Sequence, residues 1–164
     1  MTITGSTVPA LTIGVISDTH GLLRPEAIKA LAGVNHILHA GDVGDPGILD
    51  ELRSIAPLTA IRGNVDVYGA CAALPATATV ELGGCRIYLV HSVYDLFIDP
   101  REAGIAMVVS GHSHRAGVER RNGVVYLNPG SAGARRFDLP ATLAKVRVAK
   151  GEVHPRIVTL LAAR

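Results

Sequence analysis

Short apolar segments alternate with amphipathic ones along most of the chain. The apolar segments that are continuously hydrophobic are typical of strands buried on both faces, and they lie at 11–17, 36–40, 58–62, 86–91 and 106–111. Between the first three, segments 24–33 and 45–56 predict helices, because each opens with a proline beside an acidic residue. The first half of the chain therefore predicts a βαβαβ unit with parallel strands and right-handed crossovers.

The rest of the chain is rich in strand patterns. Segments 76–84, 124–130 and 141–160 predict strands and hairpins, with a turn at Lys150-Gly151. This pattern indicates a second sheet packed on the first. The chain of 164 residues shows no internal repeat, low-complexity tract or linker. We therefore expect a short lead-in over 1–10 and a single domain over 11–164.

Composition narrows the classes of function. The chain has two Phe, four Tyr and no Trp, which argues against an aromatic platform for single-stranded nucleic acid. Its net charge of +2 is too small to indicate a nucleic-acid partner. No apolar run is long enough to span a membrane, and the first residues lack the features of a signal peptide. Cys71 and Cys85 lie far apart, which favours reduced thiols in a cytoplasmic protein.

Polar side chains follow each of the five buried segments at its carboxyl end. All are of metal-ligand type: Asp18, His20, Asp42, Asn64, His91, His112 and His114. Because the carboxyl ends of parallel strands share one edge of a sheet, we expect these seven side chains to meet at one rim. Gly41, Gly63 and Gly111 each directly precede one of them. We expect the conformational freedom of glycine to let the chain turn sharply there.

Taken singly, each of these residues has a simpler explanation. Asp after a strand is more often a turn or helix cap, Gly-Asn is an ordinary turn, and a histidine that ends a strand is usually half-buried. Their coincidence at five strand ends in one small chain favours a metal site. Imidazole, carboxylate and amide donors without thiolate suit Mn, Fe, Zn, Co or Ni. Seven ligands exceed one tetrahedral ion but suit two ions that share a carboxylate.

The ordered motifs SDTHG, HAGD, RGNVD, VHS, SGHSH and LNPGS resemble those of the calcineurin-like metallophosphoesterase superfamily. The chain is most similar to its small single-domain branch, the YfcE-like phosphodiesterases, from about residue 12 to about residue 160. The resemblance implies an α/β fold in which a two-sheet β-sandwich is flanked by helices in four layers, αββα. It also implies a metal-dependent enzyme that hydrolyses a small phosphodiester by attack of a hydroxide bridging two metal ions.

The resemblance also implies which residues hold each ion. The first ion would be held by Asp18, His20 and His114, and the second by Asn64, His91 and His112. Asp42 would bridge the two ions. Asp42, Asn64 and His91 are also the residues expected to take part in catalysis. The expected cofactors are two divalent transition-metal ions, with manganese favoured over nickel, cobalt, iron or zinc.

The segment Ser110–His114 places two histidines either side of one serine. In an extended chain, residues two apart face the same side at about 6.5–7 Å, which suits two neighbouring ions better than chelation of one. The resemblance agrees, because it assigns His112 and His114 to different ions. Ser113 is interpreted as a spacer and not as a nucleophile.

Further residues are candidates for supporting the site or touching the substrate: Asp66, Ser92, Asn128, Ser131 and Arg135. We expect Asn128 and Ser131 to brace the site through backbone hydrogen bonds. Asp66 is interpreted as a hydrogen-bond acceptor in a turn and not as a catalytic acid. Ser92 replaces a glycine usual in the family, a change interpreted as harmless although its hydroxyl could orient a phosphate. Arg135 suits a phosphate, although paired arginines are more often solvated surface.

Of three further positions, two have more than one interpretation. Arg24, like Arg135, either contacts the phosphate of the substrate or lies on the solvated surface. Arg62, near a strand end, is interpreted as a structural ion-pair partner. His39 could donate to Asp42, but a buried core histidine is the favoured interpretation.

Val65 bears on the choice of reaction. Many phosphatases of the superfamily have a histidine directly after the asparagine, and this chain has Val65 there, so no general acid is identified. General acid catalysis is typically worth about 10²–10⁴-fold, so its loss argues against the alternative of a phosphomonoesterase or nucleotidase. A second alternative is a binding scaffold like the retromer subunit of this fold, but all seven ligand positions are filled here. We expect a small phosphodiester as partner, no membrane or nucleic acid, and compatibility with a homo-oligomer.

Overall fold

The computed structural model describes residues 8–136 and 138–163, so residues 1–7 of the predicted lead-in lie outside it. Residues 8–10 have no regular structure and lead into the first strand. Two five-stranded sheets follow, and each combines two parallel pairs of strands with two antiparallel pairs.

The first sheet contains the predicted βαβαβ unit. Its strand order is β10-β9-β1-β2-β3, with β1 parallel to β2 and β2 parallel to β3. The strands are β1 (Leu11–Ile16), β2 (His36–His39), β3 (Leu58–Ala60), β9 (Ala141–Ala149) and β10 (Glu152–Leu161). The prediction of a parallel unit in the first half of the chain is therefore confirmed.

The second sheet has the order β4-β5-β6-β8-β7, in which β5, β6 and β8 run parallel. Its strands are β4 (Thr77–Leu82), β5 (Cys85–Val90), β6 (Ile105–Val109), β7 (Gly117–Arg121) and β8 (Val124–Asn128). Two of the five ligand-bearing strands, β5 and β6, thus belong to the second sheet. The expectation that one parallel sheet supplies the whole rim is wrong, because the carboxyl edges of two sheets meet there.

Three of the four antiparallel pairs are hairpins with two-residue turns. The turns are Gly83-Gly84, Asn122-Gly123 and Lys150-Gly151, and both residues of each have positive φ. Positive φ at both positions is what a type I′ turn requires, and such turns match the twist of the strands. The predicted turn at Lys150-Gly151 is confirmed.

The helices pack on the outer face of the first sheet: α1 (Pro25–Ala30), α2 (Pro46–Ile55) and α3 (Gly69–Ala72). Asp45 caps α2 by accepting a hydrogen bond from the N–H of Gly47 at 2.8 Å. Helix α1 is shorter than the predicted 24–33. Its end tightens into i to i+3 turns, and Gly33 at φ 80° ends the helical path.

The main core lies between the two sheets. It contains Ile13 and Val15 from β1, Leu89 from β5 and Met107 from β6, all fully buried. A second cluster fills the space between the first sheet and the helices. On the outer face of the second sheet, a smaller cluster is partly covered by Leu96, which follows a 3₁₀ helix (Val93–Asp95).

This arrangement confirms the predicted αββα sandwich. Within the described ranges, its fourth layer consists of a 3₁₀ helix and turns instead of α-helices. None of the helices in these ranges is both long and apolar enough to cross a membrane.

The core between the sheets provides a test of the packing. We expect Leu89→Ala to lower the free energy of unfolding by about 2–5 kcal/mol, because it leaves a cavity between two sheets. Leu22→Ala is the matched control, since Leu22 is 40% exposed, and it should change stability by less than about 0.5 kcal/mol. Urea unfolding measures both values. Equal effects of the two substitutions would contradict the assignment of Leu89 to the core.

Candidate metal centre

All seven predicted ligands come together at one end of the sandwich. The loops after β1, β2 and β3 bring Asp18, His20, Asp42 and Asn64, and the ends of β5 and β6 bring the remaining histidines, His91, His112 and His114. The side chains form two adjacent groups that share no member but touch through Asp42.

The first group consists of Asp18, His20 and His114. Asp18 Oδ1 lies 3.4 Å from His114 Nε2 and 3.6 Å from His20 Nε2, and the two ring nitrogens are 3.3 Å apart. Asp18 Oδ1 is buried and has no hydrogen-bond partner in the described part of the chain. A buried carboxylate oxygen left unpaired among converging imidazoles is the environment that a cation would satisfy.

The second group consists of Asp42, His91 and His112, with Asn64 between the two rings. Asn64 Oδ1 lies 3.1 Å from His91 Nε2 and 3.2 Å from His112 Nδ1, and Asp42 Oδ2 lies 3.2 Å from His91 Nε2. These nitrogen and oxygen donors suit a divalent transition-metal ion. Unlike the first group, this one is open to solvent at Asn64 and His112.

Asp42 lies between the two groups. Its Oδ1 accepts a hydrogen bond from the backbone N–H of Val65 at 3.0 Å. Its Oδ2 lies 3.4 Å from His20 Nε2, in the first group, and 3.2 Å from His91 Nε2, in the second. One oxygen is therefore fixed by the backbone, and the other faces both groups, so Asp42 could be shared by two ions.

Hydrogen bonds orient His91 for ligation. Its Nδ1–H donates to the backbone carbonyl of Ala40 at 2.7 Å, so Nε2 keeps its lone pair and points at Asp42 and Asn64. Burial tends to lower the pKa of His91, but the Asp42 carboxylate and the Ala40 carbonyl outweigh it and raise the pKa above its ordinary value. The same surroundings therefore favour positive charge at Nε2, either a proton or, in its place, a metal ion.

The two carboxylates are ionised in spite of their burial. Burial tends to raise the pKa of Asp18, but His114, His20 and Ser17 outweigh it and hold the pKa well below its ordinary value. Burial likewise opposes ionisation of Asp42, and its contact with His91 and its bond from the Val65 N–H lower its pKa. Both side chains therefore offer full negative charge to a cation near neutral pH.

The ligands themselves adopt the strained backbone of the site. Left-handed φ values occur at Asp18, His20, Asp42, His112 and His114, between 47° and 70°. Each such residue costs on the order of 1–3 kcal/mol and persists only where the surroundings enforce it. Strain concentrated in five of the seven ligands is a feature of functional sites.

The preceding glycines do not all act as expected. Gly41 has φ 101°, so its predicted sharp turn is confirmed. Gly63 and Gly111 do not have positive φ, and for them the explanation is wrong. A Cβ on Gly63 would collide with the Asp42 carboxylate, and one on Gly111 with Ser17 and Asp18. These two glycines are required because the neighbouring ligand loop passes too close for a side chain.

The segment Ser110–His114 was expected to be extended, and this expectation is wrong. Ser113 N–H donates to the Gly111 carbonyl at 2.8 Å across His112, whose φ is 70°, so the chain makes a tight γ-turn. The two histidines nevertheless enter different groups. Ser113 accepts hydrogen bonds from Asn128 Nδ2 and from the Arg115 N–H, which ties its hydroxyl into the turn.

Three polar side chains fix the ligand loops. Asp66 accepts bonds from the N–H groups of Val43, Gly44 and Gly63 at 3.0, 3.0 and 2.8 Å. Asn128 donates to the Gly111 carbonyl at 3.0 Å, and Ser131 donates to the Asp18 carbonyl at 2.9 Å. These contacts hold the loops after β1, β2, β3 and β6 in register.

His39 joins two of these loops from within the core. Its Nδ1 accepts a bond from the Gly41 N–H at 3.1 Å, so its Nε2 carries the proton and donates to Thr19 Oγ1 at 3.0 Å. The Thr19 hydroxyl in turn donates to the Val43 carbonyl at 2.8 Å. His39 is a buried core histidine and not a donor to Asp42. The connecting role of Thr19 was missed, although its place between Asp18 and His20 is a signal that could have shown it.

The remaining candidates fall into two pairs: two arginines bond to backbone carbonyls, and the other two residues line a cleft beside the second group. Arg135 Nη1 donates to the Ala162 carbonyl, and Arg24 Nε donates to the Gly133 carbonyl. Arg62 bonds the Leu74 carbonyl at 2.7 Å, so among the described residues the predicted ion pair is replaced by a hydrogen bond. Ser92 is half-buried in the wall of a cleft beside the second group.

That cleft has a volume of about 500 Å³. Its lining includes Asn64, His91 and His112 from the second group. The residues of the first group are not among those that line it. A molecule entering the site by this cleft would therefore meet the second group first.

The chain is similar to known proteins in sequence and in fold. The family model of the calcineurin-like phosphoesterase superfamily domain matches residues 11–151. A probable metallophosphoesterase of Methanothermobacter thermautotrophicus is 38% identical over 144 residues, which cover 80% of this chain and 83% of the relative.

Two solved structures are similar in fold. An archaeal phosphodiesterase superposes with a TM-score of 0.75 at 22% identity, covering 90% of this chain and 100% of its own. Vacuolar protein sorting 29 from Cryptosporidium parvum superposes with a TM-score of 0.74 at 20% identity, covering 92% of this chain and 97% of its own. At these identities the likeness shows a shared fold.

The close passage of two ligand loops gives a test of the site. We expect Gly63→Ala to weaken Mn²⁺ binding by about 10–100-fold, the range typical of displacing a ligand's supports, because the new Cβ displaces the Asp42 carboxylate. Calorimetric titration measures the affinity. Gly117→Ala is the matched control, because its Cβ would meet open space and its φ is not left-handed. Unchanged affinity in Gly63→Ala would show that the contact does not position Asp42.

The buried His39 gives the metal-free protein a specific pH dependence. Burial lowers the pKa of His39 to about 4, so the folded ring stays neutral while the unfolded ring takes up a proton below about pH 6.5. Its contribution to stability is therefore complete above pH 6.5 and is lost as the pH falls toward 4. Between pH 7 and pH 5 the wild type should lose on the order of 2 kcal/mol more than His39→Gln.

Urea unfolding with a chelator present measures this difference. His154→Gln, which removes an exposed imidazole, should keep the wild-type pH dependence. If His39→Gln loses as much free energy of unfolding between pH 7 and pH 5 as the wild type does, the buried ring does not govern the pH dependence.

Proposed function

Because the chain belongs to the calcineurin-like phosphoesterase superfamily and its ligands form two groups joined by Asp42, we propose that it is a dinuclear metal-dependent phosphodiesterase. The observation that carries this proposal is the position of Asp42 Oδ2, within 3.4 Å of His20 and 3.2 Å of His91. Manganese is the favoured metal, with nickel, cobalt, iron or zinc as alternatives. A small phosphodiester is the proposed substrate.

The residues present fit two ions. Asp18, His20 and His114 would hold the first, and Asn64, His91 and His112 the second, with Asp42 shared. The unpaired Asp18 Oδ1 supports this assignment. Two divalent ions held there would supply an activated water for in-line attack at phosphorus and would neutralise charge on the phosphate oxygens.

The chain's own residues would position the substrate. Asn64 and His112 are the solvent-exposed members of the site, so a phosphate arriving through the cleft would first lie beside them. Asp42 is held by the Val65 N–H and remains ionised, and it orients the centre without exchanging a proton. With His91, whose Nε2 lies 3.2 Å from Asp42 Oδ2, Asp42 and Asn64 are the proposed catalytic residues.

The absence of an acid next to Asn64 favours diesters over monoesters. The Val65 side chain is 39% exposed beside the site and cannot donate a proton. Asp66 is buried and its carboxylate oxygens accept three backbone bonds, so it is not available as an acid. Substrates whose leaving group departs without protonation, such as aryl diesters, should therefore react best.

A binding scaffold is the second candidate. The similarity in fold to vacuolar protein sorting 29 supports it, whereas the complete set of seven ligands supports an enzyme. The two buried, free cysteines support a cytoplasmic location, and we propose no membrane or nucleic-acid partner. A homo-oligomer is compatible with either candidate.

Metal removal and reloading test the proposal. The chelated protein should not hydrolyse bis(4-nitrophenyl) phosphate, and added Mn²⁺ should restore turnover. The Mn²⁺-loaded protein should hydrolyse this diester faster than it hydrolyses the monoester 4-nitrophenyl phosphate. Asp42→Ala should reduce turnover by more than about 100-fold, beyond what loss of a supporting residue costs. Asp138→Ala, which removes an exposed carboxylate, is the control.

Metal content separates the two sites. Equilibrium dialysis should give two Mn²⁺ per chain in the wild type and one each in His112→Ala and His114→Ala. Equal turnover by the chelated protein would overturn the mechanism, and a preference for the monoester would overturn the substrate class. Metal binding without turnover would favour the scaffold.

A further inference from the structure

The cleft beside the second group is larger than a phosphate needs. Its volume of about 500 Å³ lies within the range of about 300–1,000 Å³ typical of sites for small organic molecules. It continues from the second group to the end of the 3₁₀ helix and the residues after it, where Asp95 and Phe97 line it. The cleft therefore has room for one organic arm of a diester whose phosphate lies at the ligands.

Phe97 is the aromatic residue in the described lining of this cleft, and it is 88% exposed. Its neighbour Leu96 packs into the small cluster on the outer face of the second sheet, so the backbone is anchored one residue away. Burying a phenyl side chain is worth about 1.5–3 kcal/mol, which this ring forgoes. A flat ring laid against Phe97 would recover part of that energy.

Two charged side chains, Arg62 and Asp95, also line this cleft. The Arg62 side chain is held by the Leu74 carbonyl and lines the cleft near Asn64. Asp95 is exposed, and within the described ranges its carboxylate has no ion-pair partner. An unpaired carboxylate in the wall repels a second anionic group and accepts hydrogen bonds from N–H or O–H donors.

We propose that this cleft binds a planar aromatic arm of the substrate, with its ring against Phe97 and a hydrogen-bond donor on Asp95. The inference rests on the proposed phosphodiesterase function, because it places the phosphate at the two metal groups. Phe97 and Asp95 are then specificity-determining residues. The substrate class is a phosphodiester with one aromatic, donor-bearing arm, such as a nucleoside.

Binding of non-hydrolysable phosphonates isolates the contribution of the ring. Methylphosphonate and phenylphosphonate carry the same charged group and differ only in the arm. Calorimetry on the Mn²⁺-loaded protein should show phenylphosphonate binding about tenfold more tightly. Phe97→Ala should abolish this preference and leave the Kd of methylphosphonate within about twofold, and Phe97→Tyr should retain it.

The adjacent aromatic provides the matched control. Tyr94 is 90% exposed but does not line the cleft, so Tyr94→Ala should keep the preference for phenylphosphonate. Equal affinities for the two phosphonates in the wild type, or a preference that survives Phe97→Ala, would overturn the proposed role of Phe97.

The analogue of thymidine in which a phosphonomethyl group replaces the 5′ hydroxyl tests the donor, because its P–C bond is not hydrolysed and its charged group matches that of phenylphosphonate. It should bind more tightly than phenylphosphonate, and Asp95→Asn should remove this gain without affecting phenylphosphonate. No gain, or a gain unchanged by Asp95→Asn, would overturn the role of Asp95. Failure of the underlying function is distinguishable, because neither methylphosphonate nor phenylphosphonate would then bind and no aryl diester would be hydrolysed.

Discussion

The Asp66 carboxylate is the contact on which the geometry of the site depends most directly. It is buried and accepts three backbone N–H bonds, from Val43 and Gly44 in the loop after β2 and from Gly63 after β3. Those loops carry Asp42 and Asn64, so one side chain sets the distance between the shared carboxylate and a ligand of the second group. Bonds to a charged acceptor are about twice as strong as neutral ones, which suits a contact that holds two loops together.

Around this contact, the structure separates stability from function. The core between the sheets and the cluster beneath the helices are built from aliphatic side chains, and they support the strands up to their carboxyl ends. Beyond those ends the chain adopts left-handed conformations and brings ionised carboxylates beside imidazoles. The packed sandwich supplies the free energy that holds these loops in conformations they would not adopt alone.

Much of this could be predicted from the sequence, because strand ends deliver side chains in a regular way. The seven ligand types at five strand ends predicted a convergent site, and the structure brings all seven together. The sequence could not show that β5 and β6 belong to another sheet, since period and hydrophobicity are the same in both.

Contacts between segments far apart in the chain also could not be predicted from the sequence. The need for Gly63 arises from the passage of Asp42 beside it, and the turn at His112 arises from local hydrogen bonding that spacing alone does not reveal. The sequence does not single out Phe97, because the cleft that Phe97 lines is formed by residues far apart in the chain.

The left-handed backbone of the ligands has a consequence for how such a site is encoded. Asn, Asp and His are the side-chain-bearing residues most enriched in that conformation, and they are also the nitrogen and oxygen ligands of transition metals. At Asp18, Asp42, His112 and His114, the residue type is therefore selected twice, once by the path of the chain and once by the chemistry of the cation. An exchange between aspartate and asparagine here would alter charge while sparing conformation, whereas most other exchanges would alter both.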